Sequence, residues 1–288
     1  MLIIMQKVAE TVQVKSVDPK ELMRAVSEDA LAYYNKIAGT GHVAPEIVLF
    51  SNLKEVPRID KPVLKDMDKV GAGGTYAFGK IYVDDRELWL EPTQNKIEVT
   101  TRSISHEFVH YARDKNGAGN RHFARLFSRK IGTAIRTLEE GCAVFVSGVY
   151  CSEDRADVTK MIRTVYSDIE TGSFSLLPKI YDVISSNVDD AVPFFSSEGV
   201  DYHTVSKMSN MSNACPTYQE HVFYIVGTNL ATIIYAANDL NVQKTAKKLL
   251  TLNYDELLQE LKYSVRPCTE EAICHICDCM RKDSVQNS

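Results

Sequence analysis

The hydrophobic pattern of the chain changes near Pro92: short strand-like runs stand before it, and helical periodicity dominates after it. The stretch "DPKELMRAVSEDALAYYNKIAG" reads as a helix, with Asp18 able to cap it, Pro19 suited to its first turn and Gly39 ending it. "EIVLF" and "TYAFGKIYV" read as strands, the second after the turn-prone "GAGG", and "ELWLE" alternates as a further short strand would. Beyond Pro92 one helical stretch runs to the break "NGAGN", and a second covers "HFARLFSRKIGTAIRTLEEGCAVFVSG". Residues 171–216 are rich in Ser, Asn and Asp, which predicts short helices and loops; two more helices are expected between Tyr218 and about Tyr263. The order of elements predicts an α+β fold, mainly helical, with a small N-terminal sheet. Residues 1–116 would form an N-terminal subdomain of helix, sheet and a further helix, and 117–288 a helical C-terminal subdomain ending in a Cys-rich tail.

Composition narrows the class without naming it. Of 288 residues, 44% are hydrophobic and 25% charged, as in ordinary globular chains with a real core. The net charge of −5 and the scatter of basic residues argue against a nucleic-acid partner. "MLIIM" is too short for the apolar core of a signal peptide, and "VFYIVGTNLATIIYAAN" is interrupted by Thr228, Asn229 and Thr232. A soluble, cytoplasmic protein with no membrane partner is expected. Seven cysteines, four of them within twelve residues, do not resemble a distributed disulfide framework.

The chemistry begins at "SHEFVHY". On an α-helix, His106 and His110 project from one face, one turn apart, so both imidazoles can reach one zinc ion. Glu107 borders that face and can reach a water without being a ligand. Thr100 or Thr101 can cap the helix start, Ile104, Phe108 and Tyr111 or Ala112 give it an apolar stripe, and Asn116–Gly117 can end it. An amphipathic helix carrying two histidines by chance would look the same over these residues. A catalytic zinc usually has three protein ligands, so a third should lie downstream.

"TLEEGCAVFVSG" offers Glu139 and Glu140. With His106-Glu107-Phe108-Val109-His110, the run Glu140-Gly141-Cys142-Ala143-Val144-Phe145 resembles the gluzincin metallopeptidases, whose third ligand is a glutamate on a later helix. The second run looks like the Glu-Gly-x-Ala-x-aromatic pattern of aminopeptidase N-type enzymes. Periodicity favours Glu139, which borders the apolar stripe of Ile131, Ile135, Leu138, Cys142, Phe145 and Val149. The family pattern places the ligand directly before the glycine, and Ala143 and Ser147 make the face of Glu140 a small-residue face. Glu140 is therefore the expected ligand, with Glu139 as a solvated charge or a neighbour of the ligand shell. The gap from His110 is longer than in aminopeptidase N-type enzymes, and Glu139 stands where they usually carry asparagine.

The resemblance implies a zincin-like fold, one catalytic zinc held by His106, His110 and Glu140, and hydrolysis of peptide or protein substrates with Glu107 as general base and acid. It implies a donor to the oxyanion as well: Tyr224, in the Tyr-x-x-Gly run Tyr224-Ile225-Val226-Gly227 expected to open a helix, with His221 and Tyr218 as competitors. A structural tyrosine packed beside Gly227 is the bland reading. The strand after "GAGG" stands where substrate would add to the sheet edge, with Gly73 and Gly74 allowing close approach, or forming an ordinary turn. The family's amine-binding glutamate is missing after Gly71-Ala72, which favours an endopeptidase over an aminopeptidase. A catalytically weak zincin-fold binding protein that keeps the metal is the alternative. Cys268, Cys274, Cys277 and Cys279, with His275, match no standard metal spacing; free thiols are expected, with a structural metal site or a local disulfide as the alternatives.

Overall fold

The computed structural model describes residues 19–50, 56–70, 73–86, 94–119, 129–152, 157–167, 173–187 and 218–286. The chain divides into two compact units, Met1–Lys115 and Asn116–Ser288. The expected Asp18 cap, the "ELWLE" strand, Gly71-Ala72 and the start of the second helical stretch lie outside the described residues.

In the first unit, helix α1 (Pro19–Ala38) follows from its pattern: Met23, Val26, Ala30, Tyr34 and Ile37 recur at helical spacing and are buried. Gly39, at φ 74°, stops it, and the N–H groups of Gly39 and Thr40 both return to the Asn35 carbonyl. Strand β1 (Glu46–Leu49) is followed by α2 (Lys61–Val70), β2 (Gly74–Ala77), β3 (Lys80–Val83) and α3 (Gln94–Lys115). The sheet order is β1-β3-β2, with β1 parallel and β2 antiparallel to the central β3. Val48, Phe50, Val56, Leu64, Met67 and Tyr82 make an apolar core between sheet and α2. A buried Asp60 accepts hydrogen bonds from Tyr82 Oη (2.7 Å) and Lys80 Nζ (3.0 Å), fastening the start of α2 to β3. Helix α3 packs on α1 and on the hairpin.

Two expectations change here. "TYAFGKIYV" is a hairpin, because Phe78 (φ 52°) and Gly79 (φ 76°) make the two-residue turn whose twist suits antiparallel strands. Helix α3 starts at Gln94, so Thr100 and Thr101 sit inside it rather than capping it. Its end is as expected, with Gly117 at φ 71°.

The second unit is helical throughout its described residues. Its elements are α4 (Arg129–Cys151), α5 (Val158–Ser167), a 3-10 turn (Ser173–Leu176), α6 (Leu177–Ser186), α7 (Tyr218–Ala237), α8 (Val242–Thr251), α9 (Tyr254–Tyr263) and α10 (Pro267–Gln286). Three helices, not two, fill 218–263, because Asn241 and Asn253 each cap a new start; Asn253 and Glu256 form a capping box. The Cys-rich tail is itself a helix. The unit is built around α4 and α7, which cross at glycines: a Cβ on Gly141 would lie 2.1 Å from the Gly227 carbonyl oxygen, and one on Gly227 would lie 2.1 Å from that of Thr137. Gly148 admits α5 in the same way, a Cβ there falling 2.7 Å from a Val165 methyl. The chain is thus α+β and mainly helical. Among its described residues no helix is long and apolar enough to cross a membrane.

Candidate metal centre

Helix α3 carries the first part of the centre. Phe108, Val109 and Ile104 are buried and hold one side of the helix; Tyr34 of α1 donates to the Ser105 carbonyl (3.0 Å). That packing fixes the turn on which His106, half-buried, and His110, buried, project together. Their Nε2 atoms are 3.3 Å apart and their rings are inclined at 77°. Two nitrogens bound tetrahedrally to one zinc at 2.0–2.1 Å stand about 3.3–3.4 Å apart. The observed separation therefore suits two lone pairs aimed at a common ion.

Glu107 is buried and does not join the two histidines; it turns towards β2. Its Oε2 accepts the Tyr76 N–H at 2.6 Å, a charge-assisted bond. Ala77 and Lys80 flank the two-residue turn as a mutually bonded pair, so the pairing alternation turns the Tyr76 N–H away from β3, to the open edge of the sheet. The same residue reaches α3 a second time: Tyr76 Oη donates to Asp114 (2.6 Å), and its ring meets Tyr111 edge-on. Burial, and then the Asp114 carboxylate, push the Tyr76 phenol well above its ordinary range, so it stays protonated and keeps donating. Gly73 and Gly74 are bare for a local reason. A Cβ on Gly74 would lie 3.2 Å from Glu107 Cγ, and one on Gly73 3.1 Å from Ser103 Oγ. The close approach they permit is that of α3's own side chains. Tyr76 escaped the sequence reading, since one tyrosine among fourteen carries no pattern.

Helix α4 carries both candidate glutamates, and both are buried: Glu139 at 2% exposure and Glu140 at 1%. Glu139 is therefore no solvated charge. The stripe argument fails because α5, α7 and α8 all pack on α4, so apart from Arg136 every residue from Ala134 to Cys151 is buried. His106, His110 and Glu140 form a group that can hold a metal ion. Their ligand atoms all lie within 4.8 Å of one another, and no other set of three or more His, Cys, Asp or Glu does so among the described residues. Glu139 is not in the group.

Arg136, one turn before Glu140, holds its Nε 3.8 Å from Glu140 Oε1 and stacks its guanidinium 4.9 Å above the Phe223 ring. The i, i+4 spacing is visible in the sequence, but a pairing on one helix face only acquires meaning once that face is known to be buried. Tyr224 follows Phe223 on α7. It sits in the second turn rather than opening the helix, half-buried, one turn before the glycine that meets Gly141. The side chains of His221 and Tyr218 lie outside the described residues.

Among the described residues no cysteine forms a disulfide: Cys142, Cys151 and Cys277 are buried, Cys268 and Cys274 exposed, and Cys279 half-buried. No protein-family model matches the chain, and no curated protein or solved structure matches it either.

Proposed function

We propose that the chain is a zinc-dependent metallopeptidase of the gluzincin type, with a zincin-like fold around His106, His110 and Glu140, and that it cleaves peptide bonds within peptide or protein substrates. The observation that supports this reading most is the donor geometry. Two imidazole nitrogens at a tetrahedral ligand spacing and a buried carboxylate fall within one ion's reach. Two nitrogens with one carboxylate suit zinc, and three protein ligands leave a fourth position open. An ion held there supplies a Lewis acid and a water acidic enough to lose its proton near neutral pH.

The chain's own residues do the rest. Glu107 stands directly after the first histidine and accepts the attacking water's proton, then returns it to the leaving amine. The Tyr76 N–H holds its carboxylate in one orientation, so less freedom is lost when the reaction begins. Tyr224 donates its hydroxyl to the negative charge that develops on the carbonyl oxygen, with His221 as the competing donor. The outward Tyr76 N–H of β2 is held by Glu107, so an extended substrate would have to pair with the edge groups of β2 that α3 leaves open.

A second reading draws on the same 2.6 Å bond. In it Glu107 is a clamp joining α3 to β2, in a protein that binds metal and peptide without turnover. Glu107→Gln separates the two. It keeps an oxygen to accept the Tyr76 N–H, so folding and metal content should stay at the wild-type level. Under the peptidase reading, cleavage of a mixed peptide library falls to background. If the wild-type chain, loaded with zinc, cleaves nothing that Glu107→Gln does not, the peptidase reading is wrong.

A further inference from the structure

Helix α10 carries a second pair of ligand-type side chains at the spacing of His106 and His110. His275 and Cys279 are one turn apart, and Cys279 Sγ lies 3.7 Å from His275 Nε2. His275 is exposed and Cys279 half-buried, so the pair faces solvent. A nitrogen at 2.0–2.1 Å and a sulfur at 2.3 Å on one tetrahedral ion stand about 3.5–3.6 Å apart. The pair is thus set close to the bite of a chelate before any ion arrives. The neighbouring cysteines do not share it. Cys277 is buried on the other side of the helix, Cys274 is exposed but rotated away, and Cys268 lies seven residues back, about 10 Å of helical rise.

We propose that His275 and Cys279 form a bidentate site for a soft divalent cation of the zinc class, with the remaining two positions filled by solvent or by a ligand from outside the chain. The site shares no residue with His106, His110 and Glu140, and it stands whether or not the chain is a peptidase. Thiolate and imidazole together select zinc, cadmium and cobalt over magnesium and calcium. Binding requires the thiol to lose its proton to solvent and His275 to present an unprotonated Nε2.

Cobalt(II) distinguishes this site from the other, because a thiolate–cobalt bond gives a near-ultraviolet charge-transfer band and His106, His110 and Glu140 hold no sulfur. The full-length chain, reduced and stripped of metal, is titrated with cobalt(II). The band should grow in the wild type and in Cys274→Ser, and vanish in Cys279→Ser and His275→Ala. Both substitutions fall on solvent-facing positions, and circular dichroism checks that the helix is kept. No band in the wild type, or a band that survives either Cys279→Ser or His275→Ala, would overturn the proposal. In the first case the 3.7 Å contact is only a thiol–imidazole hydrogen bond.

Discussion

Gly141→Ala adds one methyl group at the crossing of α4 and α7, and its sign is the test. On an open helix the change stabilises, since alanine is the better helix former by about 1 kcal/mol. Here the new carbon would lie 2.1 Å from the Gly227 carbonyl oxygen and 2.2 Å from its carbon, while ordinary contact begins at 3.4 Å. Restoring ordinary contact needs the backbones to separate by about 3.4 − 2.1 = 1.3 Å. Both partners are main chain, so no rotamer change can absorb it. Overpacking a close-packed interior costs typically 1–3 kcal/mol, and a backbone-on-backbone clash belongs at the upper end. Subtracting the propensity gain leaves a net destabilisation of about 2 kcal/mol, or about 4–8 °C in Tm for a unit of this size. Urea unfolding followed by circular dichroism reads the sign directly. Glu140 is the preceding residue, so metal affinity should fall as well, which a competition titration with a chromophoric chelator measures. An unfolding midpoint that rises by the full propensity gain would refute the packing argument. Gly227→Ala should behave alike, because its Cβ meets the Thr137 carbonyl oxygen at the same 2.1 Å.

Other outcomes follow from single residues. Glu140→Ala should strip the metal, while Glu139→Ala should keep it at some cost in stability; the reverse result in metal analysis would make Glu139 the ligand. Tyr224→Phe should keep zinc and fold but lower kcat more than KM, by roughly a hundred- to a thousandfold if its hydroxyl meets the developing charge; if His221→Ala alone abolishes turnover with metal bound, the histidine is the donor. Asp60 gives a pH test. The Tyr82 hydroxyl first, and then Lys80, hold its carboxyl below the usual carboxylate value. A depressed folded-state value contributes stability above the unfolded value of about 4, and that contribution is lost as pH falls through the folded value. Asp60→Asn should therefore lower stability at neutral pH and flatten the acid limb of the stability curve; an unchanged limb would show that Asp60 does not titrate with folding.

Periodicity in the sequence was enough to place α1 and the end of α3, because each carries a spaced apolar face and stops near a glycine at positive φ, whereas α4 runs past Gly148 to Cys151. The spacing of His106, Glu107 and His110 was legible for the same reason: one turn of helix converts a four-residue interval into a shared face. What escaped was whatever depends on non-local neighbours. Phe78 is an unusual residue for a left-handed turn position, so the hairpin read as one strand. The choice between Glu139 and Glu140 failed on periodicity because α4 is packed on nearly all sides, and a helix buried all round has no outer face for a pattern to mark. Gly227 read as part of a catalytic signature, yet its missing side chain is what lets α7 touch α4. The pattern of residue types was thus set by the chain itself, through local geometry that every helix shares. That Glu140 falls within one ion's reach of the two histidines, and that the Tyr76 N–H holds Glu107, is visible only in the tertiary packing, because distance between residues far apart in sequence is not a property of either residue alone.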